Sequence, residues 1–252
     1  MTPTASLGGW IACHTPNPHA RLRLFCFPYA GGSAPAFRTW TAGLPAKVEV
    51  CPVQLPGRGS RLSEPPFTRL APLVETLAHV LSPLLDKPFA FFGHSLGALI
   101  SFELARQLRR QYGVHPVRLF VSAASAPQIP PASAPLHALS DSALLKALCR
   151  LNGTPAEVLE HAELMQLMLP TLRADFAVYE TYVYSAEPPL NCPVAAFGGL
   201  QDHRVGRSDL SAWRDQTCAS FSLRMFPGDH FFLNTDQRLL LPALCQELHQ
   251  DC

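Results

Sequence analysis

The chain has 252 residues, which is long enough for one large α/β domain or two small ones with a substantial buried core. Apolar residues make up 48% of the sequence and charged residues only 15%, which excludes a disordered chain. Twenty basic residues against 19 acidic ones give a net charge of +1 without a basic stripe. This balance argues against a nucleic-acid or membrane-surface partner and favours small molecules or protein partners.

Short β-type runs alternate with longer helical patterns, which predicts a mostly parallel sheet covered by helices on both faces. The predicted strands are Arg21–Phe27, Val48–Val53, Phe89–Phe92, Val117–Ser122, Val194–Phe197 and Phe221–Phe226. Apolar residues at three- and four-residue steps predict helices at Arg69–Leu85 and Leu96–Tyr112, and Gly113 is expected to end the second. A last helical run covers Leu233–Leu248.

The alternation is interrupted once, between Ala126 and Leu190. A proline-rich lead, PQIPPASAP, precedes three helical patterns, at Ser140–Leu151, Pro155–Leu169 and Leu172–Tyr184. We therefore expect residues 126–190 to form a helical lid, inserted into a core made of residues 1–125 and 191–252. Such a lid would cover the carboxyl ends of the strands, where open α/β sheets hold their binding crevice.

The amino-terminal 20 residues contain no Lys or Arg and no apolar run long enough for a signal peptide or a membrane span, which predicts a cytoplasmic chain. Eight cysteines are spread along the sequence without a CxxC pair. This spacing favours reduced packing thiols over a disulfide framework or a zinc site. We therefore expect no metal.

The segment FAFFGHSLGALISFELA contains the pattern G-x-S-x-G between a predicted strand and a predicted helix; its residues are Gly93, His94, Ser95, Leu96 and Gly97. A serine on so tight a turn needs small neighbours, and the turn lifts its Oγ above the sheet. We therefore predict that Ser95 is a nucleophile, with a purely structural glycine-rich turn as the alternative. His94 is expected to pack or hydrogen-bond locally, because its side chain points away from Ser95.

A nucleophilic serine needs a base that takes its proton and a carboxylate that orients the base, and on this fold the chain order is Ser, acid, His. His230, in PGDHFFL, follows the last predicted strand and is better placed than the other downstream histidines. Asp202 follows the strand Val194–Phe197 and is the predicted acid. Asp229 is the alternative, but a neighbour in sequence seldom reaches Nδ1 while leaving Nε2 free for the serine.

The same chemistry requires an oxyanion hole, made from the N–H after the nucleophile and one from the loop after the first strand. Leu96 supplies the first N–H. The loop FPYAGGSA offers Ala30 or Gly31 for the second, and we predict Ala30, because small residues let the backbone approach a substrate. No GK[ST] or GxGxxG pattern accompanies Gly31 and Gly32, so no nucleotide cofactor is expected.

Several segments of the sequence together match the pattern of one known family. They are GHSLGA, FPYAGGSA, QLPGRGSRLSEPPF, LNGTPAEVLEHAELMQLMLPTLRADFAVYETYVY, PPLNCPVAAFGGLQD, Trp213 and HFFLN. On these segments the chain resembles, over nearly its full length, the type II thioesterases that accompany nonribosomal peptide and polyketide synthases. The resemblance implies the α/β-hydrolase fold with a helical lid. Two positions depart from the family pattern: Asp229 stands where a second glycine usually precedes the histidine, and Asn152 precedes Gly153 where a glycine pair is common.

The resemblance implies hydrolysis of acyl groups from the phosphopantetheine thiol of acyl or peptidyl carrier proteins, which clears stalled or misprimed synthases without a cofactor. Ser95 would attack the thioester carbonyl, His230 would take the proton and then activate water, and Asp202 would hold the imidazole. The alternatives are a medium-chain acyl-carrier or acyl-CoA thioesterase of fatty acid synthesis, a general carboxylesterase, and a catalytically silent binding protein. We expect a monomer.

The insertion is expected to shape an apolar acyl chamber. Candidate lining residues are Met165, Leu167, Met168, Leu172, Phe176 and Tyr179, with packing of the lid onto the body as the alternative for each. Arg58 and Arg61 lie in the loop that contains LPGR. They are candidates to pair with the pantetheine phosphate or with acidic carrier helices, and internal salt bridges are the alternative.

Overall fold

Six strands form one sheet, in a computed structural model that describes residues 9–12, 16–131, 134–151 and 161–248. The strands are β1 (Leu22–Phe27), β2 (Val48–Pro52), β3 (Phe89–His94), β4 (Arg118–Ser122), β5 (Val194–Gly199) and β6 (Phe221–Phe226). They lie in the order β2-β1-β3-β4-β5-β6, and every neighbouring pair is parallel. The predicted parallel sheet is therefore confirmed, with strand ends that shift by two residues at most.

The strands from β1 to β5 are buried along their whole length, which is typical of parallel strands covered on both faces. Successive side chains point to opposite faces. Phe25, Phe27 and Phe91 belong to the apolar cluster on one face of the sheet. Cys26 and Phe92 belong to the cluster on the other face.

Five longer helices are described, namely α1 (Leu70–Leu81), α2 (Leu96–Tyr112), α3 (Asp141–Leu151), α4 (Ala162–Glu180) and α5 (Gln237–Leu248). Short helical turns are Ala34–Phe37, Trp40–Gly43, Gly59–Arg61, Ser82–Leu84, Arg207–Ser211, Ala212–Gln216 and Phe232–Thr235. α1 and α2 cover one face of the sheet, and α5 covers the other. α2 ends at Gly113 as predicted, because this glycine adopts φ +66° and donates its N–H to the carbonyl of Arg109 at 3.2 Å.

The insertion between β4 and β5 differs from the prediction in its helices. The predicted break between Pro155–Leu169 and Leu172–Tyr184 is wrong, because α4 runs without interruption through Pro170. Apolar side chains on both sides of this proline are buried, and their packing keeps the helix continuous despite the missing N–H. Residues 155–160 lie outside the described part of the chain.

The predicted helix also extends too far, because α4 ends at Glu180 and the next residues are not helical. Tyr182 and Tyr184 instead donate hydrogen bonds to Glu103 at 2.8 Å and to Gln216 at 3.2 Å. A smaller difference concerns the last predicted helix, which is divided at Asp236 into a short turn and α5.

The strand order determines where a site can form. The chain places β2 on one side of β1 and the strands from β3 onward on the other side, so the connections diverge between β1 and β3. In open α/β sheets a crevice opens at the carboxyl ends of the strands at such a point. Here those ends lead into the loop that follows Phe27 and into the turn at Ser95.

Candidate active site

Ser95 lies in a strained turn between β3 and α2. Its backbone has φ 54° and ψ −115°, and its N–H donates to the carbonyl of Ser122 at 2.7 Å. A Cβ on Gly93 would lie 2.1 Å from the carbonyl oxygen of Gly97, and a Cβ on Gly97 would lie 2.1 Å from that of Phe27. The glycines of the motif are therefore required by close backbone contacts, and the strain is concentrated at the residue predicted to react.

Three side chains that are distant in sequence form one hydrogen-bonded chain. His230 Nε2 lies 3.1 Å from Ser95 Oγ, and His230 Nδ1 lies 2.8 Å from Asp202 Oδ2. With Asp202 accepting the Nδ1 proton, Nε2 is left to accept the proton of the serine hydroxyl. The structure thus brings the predicted nucleophile, base and acid together in the required order.

The environment of Asp202 favours its charged form. Burial acts to raise the pKa of this carboxyl, but the hydrogen bond and charge of His230, together with backbone N–H groups, lower it below its usual range. Those N–H groups belong to Arg204 and Val205 and donate to Oδ1 at 2.8 and 3.2 Å. The carboxylate is consequently fixed and ionised where it faces the imidazole.

Asp229, the alternative acid, is directed elsewhere. Its Oδ1 accepts the N–H of Phe231 at 2.8 Å, so the carboxylate stabilises the turn that carries His230. The backbone of this turn packs against the end of β5, where a Cβ on Gly199 would lie 2.3 Å from the carbonyl oxygen of Asp229. The geometry supports Asp202 over Asp229 as the partner of the histidine.

His94 connects the serine turn to the histidine loop. Its Nδ1 lies 2.9 Å from Ser122 Oγ, and its Nε2 lies 2.8 Å from the backbone carbonyl oxygen of His230. Burial above all, together with the charge of the neighbouring His230, lowers the pKa of His94 to about 3, so the ring is neutral at pH 7. The prediction that His94 bonds locally is confirmed, and its neutral ring helps to hold the backbone of His230.

The backbone N–H groups of Leu96 and of the loop after β1 are the candidates for an oxyanion hole. Leu96 is the first residue of α2, where an N–H has no partner within the helix. In the loop after β1, the N–H of Gly31 donates to Asp175 Oδ2 at 2.7 Å, so this group is already bound. Of the two candidates in that loop, the arrangement therefore favours Ala30, which lines the same cavity as Ser95 and Leu96.

A cavity of about 830 Å³ opens above Ser95 and His230. Of the candidate lining residues, Leu172, Phe176 and Tyr179 line it. Sequence reasoning did not identify the loop after β4 or Tyr182–Tyr184 as lining segments, and it also missed His203 and Arg204 beside the acid. Their position immediately after Asp202 is the signal that points to these last two residues.

The other candidate lining residues lie outside the cavity wall. Met165 is buried against Leu144 and Leu148 of α3, and Met168 packs against the same cluster. Leu167 is 52% exposed. For these three residues the cavity-lining prediction is wrong. They pack α4 onto its neighbours or face solvent, because the helix presents only one stripe of side chains to the cavity.

Arg58 and Arg61 are buried and held internally. Arg58 donates to both carboxylate oxygens of Asp175, at 2.6 and 2.7 Å. Arg61 pairs with Glu64 at 2.5 Å, and its guanidinium carbon lies 3.9 Å from the ring centroid of Trp10. Both arginines thus form the internal salt bridges named as the alternative, and their geometry does not support a role in binding phosphate or carrier helices.

Two other features are absent from the described residues. No group of three or more His, Cys, Asp or Glu side chains that could hold a metal ion occurs among them. None of the helices in the same part of the chain is long and apolar enough to cross a membrane.

A serine hydrogen-bonded through histidine to a buried aspartate, at the carboxyl edge of a parallel sheet, defines a serine hydrolase of the α/β-hydrolase fold. The family description "Thioesterase domain" matches residues 22–252, so the chain belongs to the thioesterase family.

Relatives of known name agree with this family. The chain is 48% identical to the "Gramicidin S biosynthesis protein GrsT" of Aneurinibacillus migulanus, over 98% of this chain and 97% of that one. Among solved structures, the RedJ thioesterase from the prodiginine pathway of Streptomyces coelicolor is 43% identical with a TM-score of 0.86, covering 92% of this chain and 88% of that one. The type II thioesterase BorB from the borrelidin cluster is 37% identical with a TM-score of 0.86, covering 95% and 97%. The predicted resemblance to the type II thioesterases is confirmed.

Proposed function

We propose that this enzyme hydrolyses acyl groups from the phosphopantetheine thiol of acyl and peptidyl carrier proteins and thereby clears stalled or misprimed nonribosomal peptide and polyketide synthases. The observation that carries the proposal is the chain of hydrogen bonds from Asp202 through His230 to Ser95, which ends in the cavity of about 830 Å³. The similarity to a gramicidin S biosynthesis protein and to BorB supports the pathway class.

The first half of the reaction forms an acyl-enzyme. Ser95 Oγ attacks the thioester carbonyl carbon while His230 Nε2 accepts the hydroxyl proton, and Asp202 stabilises the resulting imidazolium. The carbonyl oxygen becomes an oxyanion that accepts hydrogen bonds from the N–H groups of Ala30 and Leu96. When the tetrahedral intermediate collapses, the C–S bond breaks and the pantetheine thiol leaves with the proton held by His230.

The second half of the reaction releases the acid. A water molecule gives a proton to His230 Nε2 and attacks the ester carbonyl, and Ser95 Oγ then leaves and takes that proton back. A thiolate is a better leaving group than an amine, so protonation of the leaving group contributes less here than in peptide hydrolysis. The triad geometry is therefore sufficient for this substrate without a further acid.

The cavity supports an acyl substrate. Its volume lies within the range of about 300–1,000 Å³ that is usual for small-molecule sites. Leu172 and Phe176 from α4, and Leu99 from α2, give part of its wall an apolar character. In this proposal, the described residues of the insertion 126–190 form a wall of the acyl chamber, and the enzyme acts as a cytoplasmic monomer with carrier proteins as partners.

The decisive experiment compares three substrates on one preparation: an acyl-carrier protein, the same acyl group on coenzyme A, and a p-nitrophenyl ester. We expect the highest kcat/KM on the carrier thioester. A preference for coenzyme A would favour the fatty acid alternative, and a preference for the simple ester by orders of magnitude would favour a carboxylesterase. Ser95→Ala is the control that separates enzymatic from spontaneous hydrolysis.

A fluorophosphonate probe tests the alternative that the chain is a catalytically silent binding protein. It reacts covalently with an activated serine, so we expect one adduct, on Ser95, and none in Ser95→Ala. Folded wild-type protein that gives no adduct would support the silent alternative.

A further inference from the structure

The second half of α4 contacts the two loops beside the predicted oxyanion hole. Thr171 Oγ1 donates to the carbonyl of Gly57 at 2.6 Å. The side chain of Leu172 packs so closely on Gly31 that a Cβ there would lie 2.4 Å from Leu172 Cδ2. Asp175 is one helical turn further on and points to the same side, so a single face of the helix meets both loops.

The centre of this contact is a buried ion pair. Arg58 and Asp175 are 6% and 4% exposed in their side chains and form two parallel hydrogen bonds. Such bidentate pairs fix orientation as well as distance. Arg58 Nη1 also donates to the carbonyl of Gly32 at 3.2 Å.

The same carboxylate holds the backbone of the loop after β1. Asp175 Oδ2 accepts the N–H of Gly31 at 2.7 Å and a hydrogen bond from Arg58 at 2.6 Å. Gly31 has φ +74°, and the N–H of Gly32 donates to the carbonyl of Tyr29 at 2.8 Å. The loop is thus fixed at the residues on both sides of Ala30.

We propose that Asp175, held by Arg58, is a positioning residue that keeps the N–H of Ala30 aimed at the oxyanion. The proposal rests on the proposed function, because it takes Ser95 as the nucleophile and Ala30 as a donor. It assigns the second half of α4 to the fixed wall of the site, since moving it away would leave two buried charges and the Gly31 N–H without their partners.

The test is Asp175→Asn, a change of nearly equal shape that removes the negative charge facing Arg58. We expect kcat to fall about 10²-fold, because a displaced donor no longer stabilises the transition state, while KM changes little. The affinity of a boronic acid inhibitor, whose tetrahedral adduct places an oxygen in the hole, should fall by a similar factor. A purely structural role would leave this affinity unchanged in the folded protein.

A second variant reaches the same loop without breaking the ion pair. In Gly31→Ala the new methyl group meets Leu172, which pushes the loop away from α4. We expect the same loss of kcat and of boronate affinity. This variant keeps the proposal testable if Asp175→Asn does not fold.

The matched control is Glu49→Gln, which weakens another buried ion pair, Arg23–Glu49 at 2.9 Å, at the amino ends of β1 and β2. It should lower the melting temperature without changing kcat. If folded Asp175→Asn lowers only the melting temperature, as this control does, the proposal is overturned. If Asp175→Asn does not fold, full kcat in Gly31→Ala overturns it. Assays on a p-nitrophenyl ester separate it from the proposed function: failure on carrier thioesters alone would reject that function, while the effect of Asp175→Asn on ester turnover would still decide the positioning role.

Discussion

The carboxyl edge of the sheet and the helical insertion build the same cavity by different means. At the sheet edge, Ser95, Asp202 and His230 follow β3, β5 and β6, and backbone contacts determine where they lie. In the insertion, side chains make the contacts with the site, such as Asp175 and Phe176 of α4 and Tyr182 beyond it. The chemistry thus depends on strand ends, whereas the shape of the substrate chamber depends on tertiary contacts of several segments of the insertion, namely α4, the loop after β4 and Tyr182–Tyr184.

The largest effect is expected from a substitution at the centre of the sheet-edge region. Ser95→Ala removes the nucleophile, and we expect turnover to fall about 10⁶-fold, as for other triad serines. Steady-state hydrolysis of an acyl-carrier thioester measures it. Circular dichroism checks that the variant is folded. If a folded variant retained more than a few per cent of the activity, Ser95 would not be the nucleophile.

The next effect separates the two candidate acids. Asp202→Asn leaves the geometry in place but no longer favours the productive tautomer of His230, so we expect kcat to fall about 10⁴-fold. Asp229→Asn is the matched control, because the Asp229 carboxylate accepts the N–H of Phe231, whereas the Asp202 carboxylate faces Nδ1 of the imidazole. Comparison of kcat for both variants is the measurement, and an active Asp202→Asn beside an inactive Asp229→Asn would transfer the role of acid.

A smaller effect is expected in the insertion. Phe176 lines the cavity, so Phe176→Ala enlarges the chamber and should shift the preference towards longer acyl chains by about tenfold, the order of one methylene group in an apolar pocket. Leu167→Ala on the same helix is the control, because that side chain is 52% exposed and lies outside the cavity wall. The readout is kcat/KM for a series of acyl chain lengths, and an unchanged series would show that the insertion does not select the chain.

The smallest effect concerns stability at acid pH. The pKa of Asp202 is lowered in the folded protein, so its contribution to stability is present above the pKa of an unfolded aspartate, about 4, and is lost as the pH falls through the lowered value. The difference in free energy of unfolding between wild type and Asp202→Asn should therefore shrink below pH 4. Urea titrations at pH 7 and pH 3 measure it, and a difference that grows on acidification would contradict the assignment.

Much of the sheet-edge region can be predicted from sequence. Continuous apolar runs are required by strands covered on both faces. The glycines on both sides of Ser95 are required because a Cβ on either would lie 2.1 Å from a backbone oxygen. These constraints are local, or follow from chain order, so Asp202 and His230 are found as the acidic and basic residues after successive strands.

The insertion is less predictable because its local signals conflict with its packing. Pro170 predicts a break, but buried neighbours keep α4 continuous. The pairing of Arg58 with Asp175 joins residues far apart in the chain, and the sequence around neither residue indicates which partner it has. Tertiary contacts of this kind decide which face of a helix lines a cavity, and single-sequence patterns do not contain them.

The most direct test of the central claim is to capture the acyl-enzyme. Wild-type protein is mixed with a stoichiometric amount of acyl-carrier protein, quenched rapidly, digested and analysed by mass spectrometry. We expect release of the carrier thiol together with a transient mass increase of one acyl group on the peptide that contains Ser95. Release of the thiol with the acyl group on another residue, or no release of the thiol at all, would contradict it.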